Sequence, residues 1–185
     1  SCCKIDVLQQ LLKFEMKKEN VMNREIRTAT INDLKQVTEV ESRCFPAAEA
    51  ATESDYRERL EIYPNHFWLV FEGDRHVSFV DGMVTDEPHL KDEMYKNAKL
   101  HNEKGDWQMI FGVNTIPEYR RQGIAGEIIM RVIEDSKRQN RKGIVLTCKE
   151  KLIPYYSKFG FVNEGISESS WGGEVWYEMR LTFRK

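Results

Sequence analysis

At 185 residues, 41% hydrophobic and 31% charged, the chain is long enough to bury one sizeable core and has the size of a single domain. Lys and Arg total 28 against 30 Asp and Glu, so no global positive excess draws the chain onto nucleic acid or an anionic membrane, and any anion site has to be local. The longest apolar runs fall far short of the roughly 20 residues that span a bilayer, and Cys2, Cys3, Cys44 and Cys148 lack the C-x-x-C spacing of a zinc site. A soluble, cytoplasmic protein without a metal or a disulfide framework is the expectation.

Residues 1–23 carry Ile5, Leu8, Leu11 and Leu12 before a Lys-rich end. They lack the long apolar centre of a secretory signal, and read as a helical extension or a vector-derived remnant. From Arg24 to the end, strand and helix periodicities alternate without a linker, which predicts one mixed α/β domain over 24–185. Glu25–Ala29 reads as a strand; Thr30 with Asp33 resembles a helix cap before Leu34, Val37 and Val40 at helical spacing. A helix follows over Glu53–Ile62 and stops at Pro64. His66–Glu72 and His76–Val84 form a predicted hairpin about Gly73-Asp74. Helix is predicted around Leu90–Leu100, strand over Trp107–Thr115, helix over Gly123–Gln139 and strand over Gly143–Cys148. A short helix over Leu152–Phe159 precedes strands near Phe161–Glu164 and Glu174–Phe183.

The most informative segment runs from Val113 to Gly126, where an apolar strand meets an amphipathic helix through the basic turn Pro117-Glu118-Tyr119-Arg120-Arg121-Gln122-Gly123. At a helix start the first backbone N–H groups have no intrahelical partner and the dipole favours negative charge. Gly123 and Ala125 let an anion approach the backbone, and Arg120 and Arg121 can add charge-assisted bonds, which suits a polyphosphate. The turn is neither a Walker A loop nor a G-x-G-x-x-G fingerprint. Taken alone it also fits an ordinary strand-to-helix connection with two solvated arginines. A nucleic-acid patch built from these arginines and Lys137-Arg138-x-x-Arg141-Lys142 fits poorly, because the second cluster matches the solvated C-terminal end of a helix.

Arg120-x-x-Gly123-x-Ala125 resembles the Q/R-x-x-G-x-G/A motif of the GNAT acetyltransferases, and Cys148-Lys149-Glu150-Lys151-Leu152-Ile153-Pro154-Tyr155-Tyr156-Ser157-Lys158-Phe159-Gly160-Phe161 is similar to a run in their arylalkylamine branch. Leu100-His101 to Gly105 resembles a further stretch of that branch. The resemblance implies a mostly antiparallel twisted sheet flanked by helices, with a splayed strand pair holding acetyl-CoA. It places the coenzyme pyrophosphate on Arg121, Gln122, Gly123, Ile124, Ala125 and Gly126, and the pantetheine arm along Val113, Asn114 and Thr115.

The implied reaction is transfer of acetyl to a small primary amine in a ternary complex, by a monomer or homodimer. Tyr156 stands where the family carries a tyrosine beside the coenzyme sulfur, and is the candidate acid for the departing thiolate. The H-x-H pair of the vertebrate enzymes is missing, since Met109 and Phe111 stand at those positions. Phe45-Pro46-Ala47-Ala48-Glu49-Ala50 is instead similar to the F-F-x-x-E-P stretch of insect arylalkylamine acetyltransferases, which makes Glu49 the candidate base, with a water chain or a plain solvated Glu49 left open. Phe45, Phe111 and Trp171 are available to line an aryl pocket. Polyamines or other small amines as acceptors, and a non-catalytic acyl-CoA-binding protein, are the alternatives.

Overall fold

The computed structural model describes residues 24–183, so the expected extension over residues 1–23 lies outside the described residues. Among the described residues nine strands form two sheets. The first has the order β1 (Arg24–Thr28), β2 (Phe67–Glu72), β3 (Arg75–Asp81), β6 (Gly112–Thr115). The second has the order β4 (Val84–Thr85), β5 (Trp107–Ile110), β7 (Gly143–Cys148), β9 (Tyr177–Thr182), β8 (Val162–Ile166). Every pairing is antiparallel except β5 with β7.

Helix α1 (Leu34–Cys44) packs against β3, β6 and α2 (Glu53–Ile62), while α4 (Ile124–Arg138) covers β2, β3, β6 and β7. With helices on both faces, β2 is buried along its length, which explains the unbroken apolar run Phe67–Phe71. The α4 stripe Ile124, Ile128, Ile129, Val132 and Ile133 is buried, each side chain contributing about 1.5–3 kcal/mol. Thr52 opens α2 with a reciprocal cap: its hydroxyl accepts from Asp55 N at 3.2 Å and its own N–H donates to Asp55 at 2.8 Å. The expected Thr30–Asp33 contact is present, Thr30 N donating to Asp33 at 2.8 Å, and it opens a 3₁₀ turn that runs into α1.

Besides the strand expected over His76–Val84, which ends at Asp81 and leaves Val84 to β4 of the second sheet, three segments depart from the sequence expectation. The helix expected over Leu90–Leu100 is only α3 (Glu93–Lys96) followed by a 3₁₀ turn over Ala98–Leu100. Asn97 separates them, its side chain accepting from Lys99 N at 3.2 Å in place of a helical bond. The helix expected over Leu152–Phe159 is a 3₁₀ turn leading into the five-residue α5 (Ile153–Ser157).

The third departure creates the site. The single strand expected over Trp107–Thr115 changes sheets at Phe111. Its first part pairs in parallel with β7 as far as Ile110↔Leu146, whereas its second part pairs with β3 from Asp81↔Gly112 to Ser78↔Thr115. Phe111 N also donates to Asp81 O at 2.8 Å, the two-against-one arrangement of a β-bulge. Beyond the bulge, β6 leaves the side of β7, whose last residues Thr147 and Cys148 pair only with β9, so a wedge opens between two parallel strands.

Candidate active site

The wedge carries backbone donors that the sheet ladder leaves unpaired. Ile116 N bonds to Val77 O at 3.0 Å, so ladder alternation turns the N–H groups of Val113 and Thr115 away from β3 and toward the gap. Past the wedge the chain makes a 3₁₀ turn over Pro117–Tyr119 and enters α4 through two left-handed residues, Arg121 at φ 61° and Gly123 at φ 83°. Glu127 N is the first intrahelical donor, bonding to Gly123 O at 3.0 Å. The N–H groups of Ile124, Ala125 and Gly126 therefore point out of the helix start together, the arrangement that holds an anion.

Neighbouring residues brace this turn. Arg43 holds Glu118 at 2.5 Å, Gln122 donates to Glu118 O at 3.2 Å, and Arg24 reaches Glu127 at 2.9 Å. Arg120 folds back to donate to Thr115 O at 3.0 Å, so it fixes the strand end, while Arg121 has no ion pair among the described residues. Gly126 has a packing role too: a side-chain carbon there would lie 3.4 Å from the Phe159 ring, so α4 and the segment after α5 meet closely.

Two cavities flank the wedge. One, of about 440 Å³, runs from Thr115, Arg120 and Ala125 past Val113 to Tyr155, Tyr156 and Lys149. The other, of about 150 Å³, is walled by Phe45, Tyr56, Tyr95, Phe111, Trp171 and Trp176 around Glu41, Arg59 and Asp81. Phe45, Glu49, Val113, Leu152, Tyr156 and Trp176 border both, so the cavities meet at these residues. Of the residues singled out from sequence, Val113, Thr115, Ala125, Tyr156 and Glu49 thus come together. Asn114 does not share that face: it is wholly buried and donates its Nδ2 to Glu41 at 2.9 Å.

Tyr156 is buried, and its burial, with Cys148 and Tyr155 adding to it, keeps the phenol protonated far above neutral pH. No other side chain bonds to its hydroxyl among the described residues. Glu49 accepts from Lys149 Nζ at 2.8 Å, and its carbonyl accepts from the Trp171 indole at 2.9 Å. Gly172, at φ 64°, makes that closure possible, because a side-chain carbon there would come within 2.7 Å of Glu49 Cγ.

The sequence reading missed the polar floor of the smaller cavity. Arg59 and Asp81 form a buried ion pair at 2.7 Å; Arg59 also donates to Tyr95 O at 2.8 Å and lies over the Phe111 ring. Glu41 accepts from Ala51 N at 3.0 Å as well as from Asn114. Burial pushes the Glu41 carboxyl up to about 7, against the Ala51 N–H that lowers it. Its signal was present in the sequence, as a carboxylate that continues the buried stripe Leu34, Val37 and Val40.

Two further groups of potential metal ligands lie away from both cavities: His66, His101 and Glu103, and His89, Glu164 and Glu178. In the first, His101 Nδ1 accepts from Val84 N at 3.2 Å, so its Nε2 carries the proton and faces Glu103 as a donor. Among the described residues no helix is long and apolar enough to cross a membrane.

Comparison with known proteins agrees with this geometry. The profile of the acetyltransferase (GNAT) family matches residues 34–161. Serotonin N-acetyltransferase of Mesocricetus auratus is 26% identical over 164 residues, covering 86% of this chain and 78% of that protein. The loading GNATL domain of CurA from Lyngbya majuscula superposes with a TM-score of 0.75 at 15% identity, covering 86% of this chain and 97% of that one. The PaiA N-acetyltransferase of Thermoplasma acidophilum, solved with coenzyme A, gives a TM-score of 0.66 at 14% identity, covering 88% and 100%. With the family profile spanning more than half the chain, and with the wedge, the helix-start turn and the buried tyrosine in place, the protein belongs to the GNAT family of acyl-CoA-dependent acetyltransferases.

Proposed function

We propose that the protein transfers the acetyl group of acetyl-CoA to the nitrogen of a small arylalkylamine, by direct attack while both substrates are bound. The observation that carries this reading is the meeting of two cavities at Val113 and Tyr156, one leading to the helix-start turn and the other walled by aromatic rings. The smaller cavity, at about 150 Å³, has the volume of a site that holds one benzene ring. An aryl group suits its walls, where the Tyr95 ring lies tilted at 4.7 Å from Trp171 and 4.9 Å from Phe111. The serotonin N-acetyltransferase relative supports an amine of this class.

In this reading Arg121 to Gly126 bind the pyrophosphate, and the pantetheine arm follows the wedge beside Val113 and Thr115. The Val113 N–H polarises the thioester oxygen as negative charge develops there. Tyr156 donates its proton to the departing thiolate. Of the three carboxylates that border the acceptor cavity, Asp81 is paired with Arg59, and Glu49 and Glu41 can take the proton of the amine. Cys44 and Cys148 are free thiols, which suits the reducing cytoplasm.

Free-thiol release from acetyl-CoA, measured with tryptamine, phenethylamine, spermidine and a lysine peptide, tests the assignment. Turnover of the two aryl amines above the others is the expected result. Efficient turnover of spermidine or the peptide with none of tryptamine contradicts the substrate class, and coenzyme binding without turnover of any amine indicates a non-catalytic acyl-CoA-binding protein.

A further inference from the structure

Unpartnered oxygens lie at the floor of the smaller cavity, on Asp81, and behind it, on Asn114. Asp81 Oδ2 accepts from Arg59 and Oδ1 has no partner; Asn114 Nδ2 donates to Glu41 and its Oδ1 has no partner. Both residues are buried. Between them lies Gly112, where a side-chain carbon would sit 3.4 Å from both Asp81 Oδ1 and Asn114 Nδ2 and 3.6 Å from Asn114 Oδ1. The missing side chain leaves a slot, room for a methyl-sized group beside these atoms, where the two oxygens have nothing to accept. Leaving such groups buried and unmatched is unfavourable, and a donor placed among them removes that cost.

The charges point the same way. Arg59 cancels one carboxylate at 2.7 Å, so an ionised Glu41 leaves one uncompensated negative charge beside the slot. A ligand carrying one positive charge and several N–H donors balances it. Glu41 is faced by Tyr56 and Arg59 from α2, by Asp81 from β3, by Asn114 from β6, by the Ala51 N–H, and by Cys44 on its own helix. Burial, with Asp81 adding to it, brings this carboxyl to about 7, where it is ionised in a large fraction of molecules and still holds a proton well. Glu49, by contrast, already has its charge met by Lys149.

We propose that Glu41 and Asp81 seat the ammonium group of the acceptor in the slot beside Gly112, and that Glu41 takes its proton. The proposal rests on the acetyl-transfer reading above. In the balanced step, the ammonium gives one proton to Glu41, the freed nitrogen pair forms the N–C bond, and the C–S bond breaks. Sulfur takes a proton from Tyr156, the nitrogen's second proton restores the phenol, and Glu41 releases its proton to solvent.

The test is the pH dependence of kcat/KM for phenethylamine in wild type, Glu41→Gln, Glu49→Gln and Gly112→Ala, with acetyl-CoA affinity read by calorimetry. Gln is accommodated at Glu41, because Asn114 can turn its amide over to offer its unpartnered Oδ1. Glu41→Gln is expected to lose about 100-fold at pH 7. The gap then closes by about tenfold per pH unit up to pH 9, as free amine accumulates. Gly112→Ala, which meets only ordinary contacts, is expected to raise the amine KM about tenfold by filling the slot, with coenzyme affinity unchanged. A Glu41→Gln loss below threefold, a loss equal at every pH, or the pH-dependent loss appearing in Glu49→Gln alone overturns the proposal and leaves acetyl transfer standing. A wild type that binds acetyl-CoA and acetylates no amine overturns both.

Discussion

The proposed coenzyme turn and the proposed acceptor cavity are built in opposite ways. The turn is one contiguous run, exposed at Arg121, Gln122 and Gly123, and its chemistry comes from backbone groups that any sequence has once Gly123 sets the geometry. The cavity draws Glu41 from α1, Arg59 from α2, Asp81 from β3, Gly112 from β6 and Trp171 from the loop before β9, and its chemistry comes from side chains buried against one another. A local device of this kind can lose its ligand without losing the fold, whereas a buried charged network is part of the core. Substitutions in the two regions should therefore separate affinity from stability.

The largest effect is expected at Arg59. Arg59→Met keeps much of the volume and leaves Asp81 as an unpaired buried carboxylate, so it should destabilise by about 3–5 kcal/mol in urea unfolding. A loss below 1 kcal/mol would mean that the pair is not the structural element described. Glu41→Gln should act in the other direction. The Glu41 carboxyl is raised from 4.5 to about 7 in the fold, so the native state is penalised as pH rises through that interval. The variant should gain up to about 3 kcal/mol over wild type at pH 8, and the gain should disappear by pH 4. Equal stability differences at both pH values would contradict the burial argument.

Gly123→Val tests the turn. A β-branched residue at φ 83° is strained, and the fold should lose about 1–2 kcal/mol, with acetyl-CoA affinity falling by roughly 100-fold in calorimetry. Unchanged affinity would remove the turn from the coenzyme site. The smallest effect is expected for Tyr156→Phe, which deletes one hydroxyl at the place where the cavities meet. With acetyl-CoA affinity nearly intact, kcat should fall about 10- to 100-fold. Wild-type turnover across pH 6 to 9, with chemistry rate-limiting, would exclude the proton-donor role.

The same contrast explains what the sequence disclosed. The helix-start turn was legible because Pro117, Gly123 and the α4 stripe Ile124, Ile128, Ile129, Val132 and Ile133 are near neighbours in the chain, and the buried strand Phe67–Phe71 because its composition is unmistakable. The bulge at Phe111 was not, since its cause is a choice of partner strands far away in sequence, β3 for one half and β7 for the other. Asn114 read as one of three strand residues along the pantetheine arm, and the period of two directs its side chain to Glu41, a partner 73 residues away. The Arg59–Asp81 pair, 22 residues apart, could be joined only by folding. Glu49 was visible through the run Phe45 to Ala50, yet Lys149, which holds it, lies 100 residues away.

The most direct test of acetyl transfer is free-thiol release from acetyl-CoA by the purified protein, followed with and without phenethylamine at pH 8, with the product identified by mass. The account predicts release that depends on the amine, saturates with it, and yields one N-acetylphenethylamine per thiol. Release at the same rate without amine, or saturable coenzyme binding with no release under either condition, would contradict it.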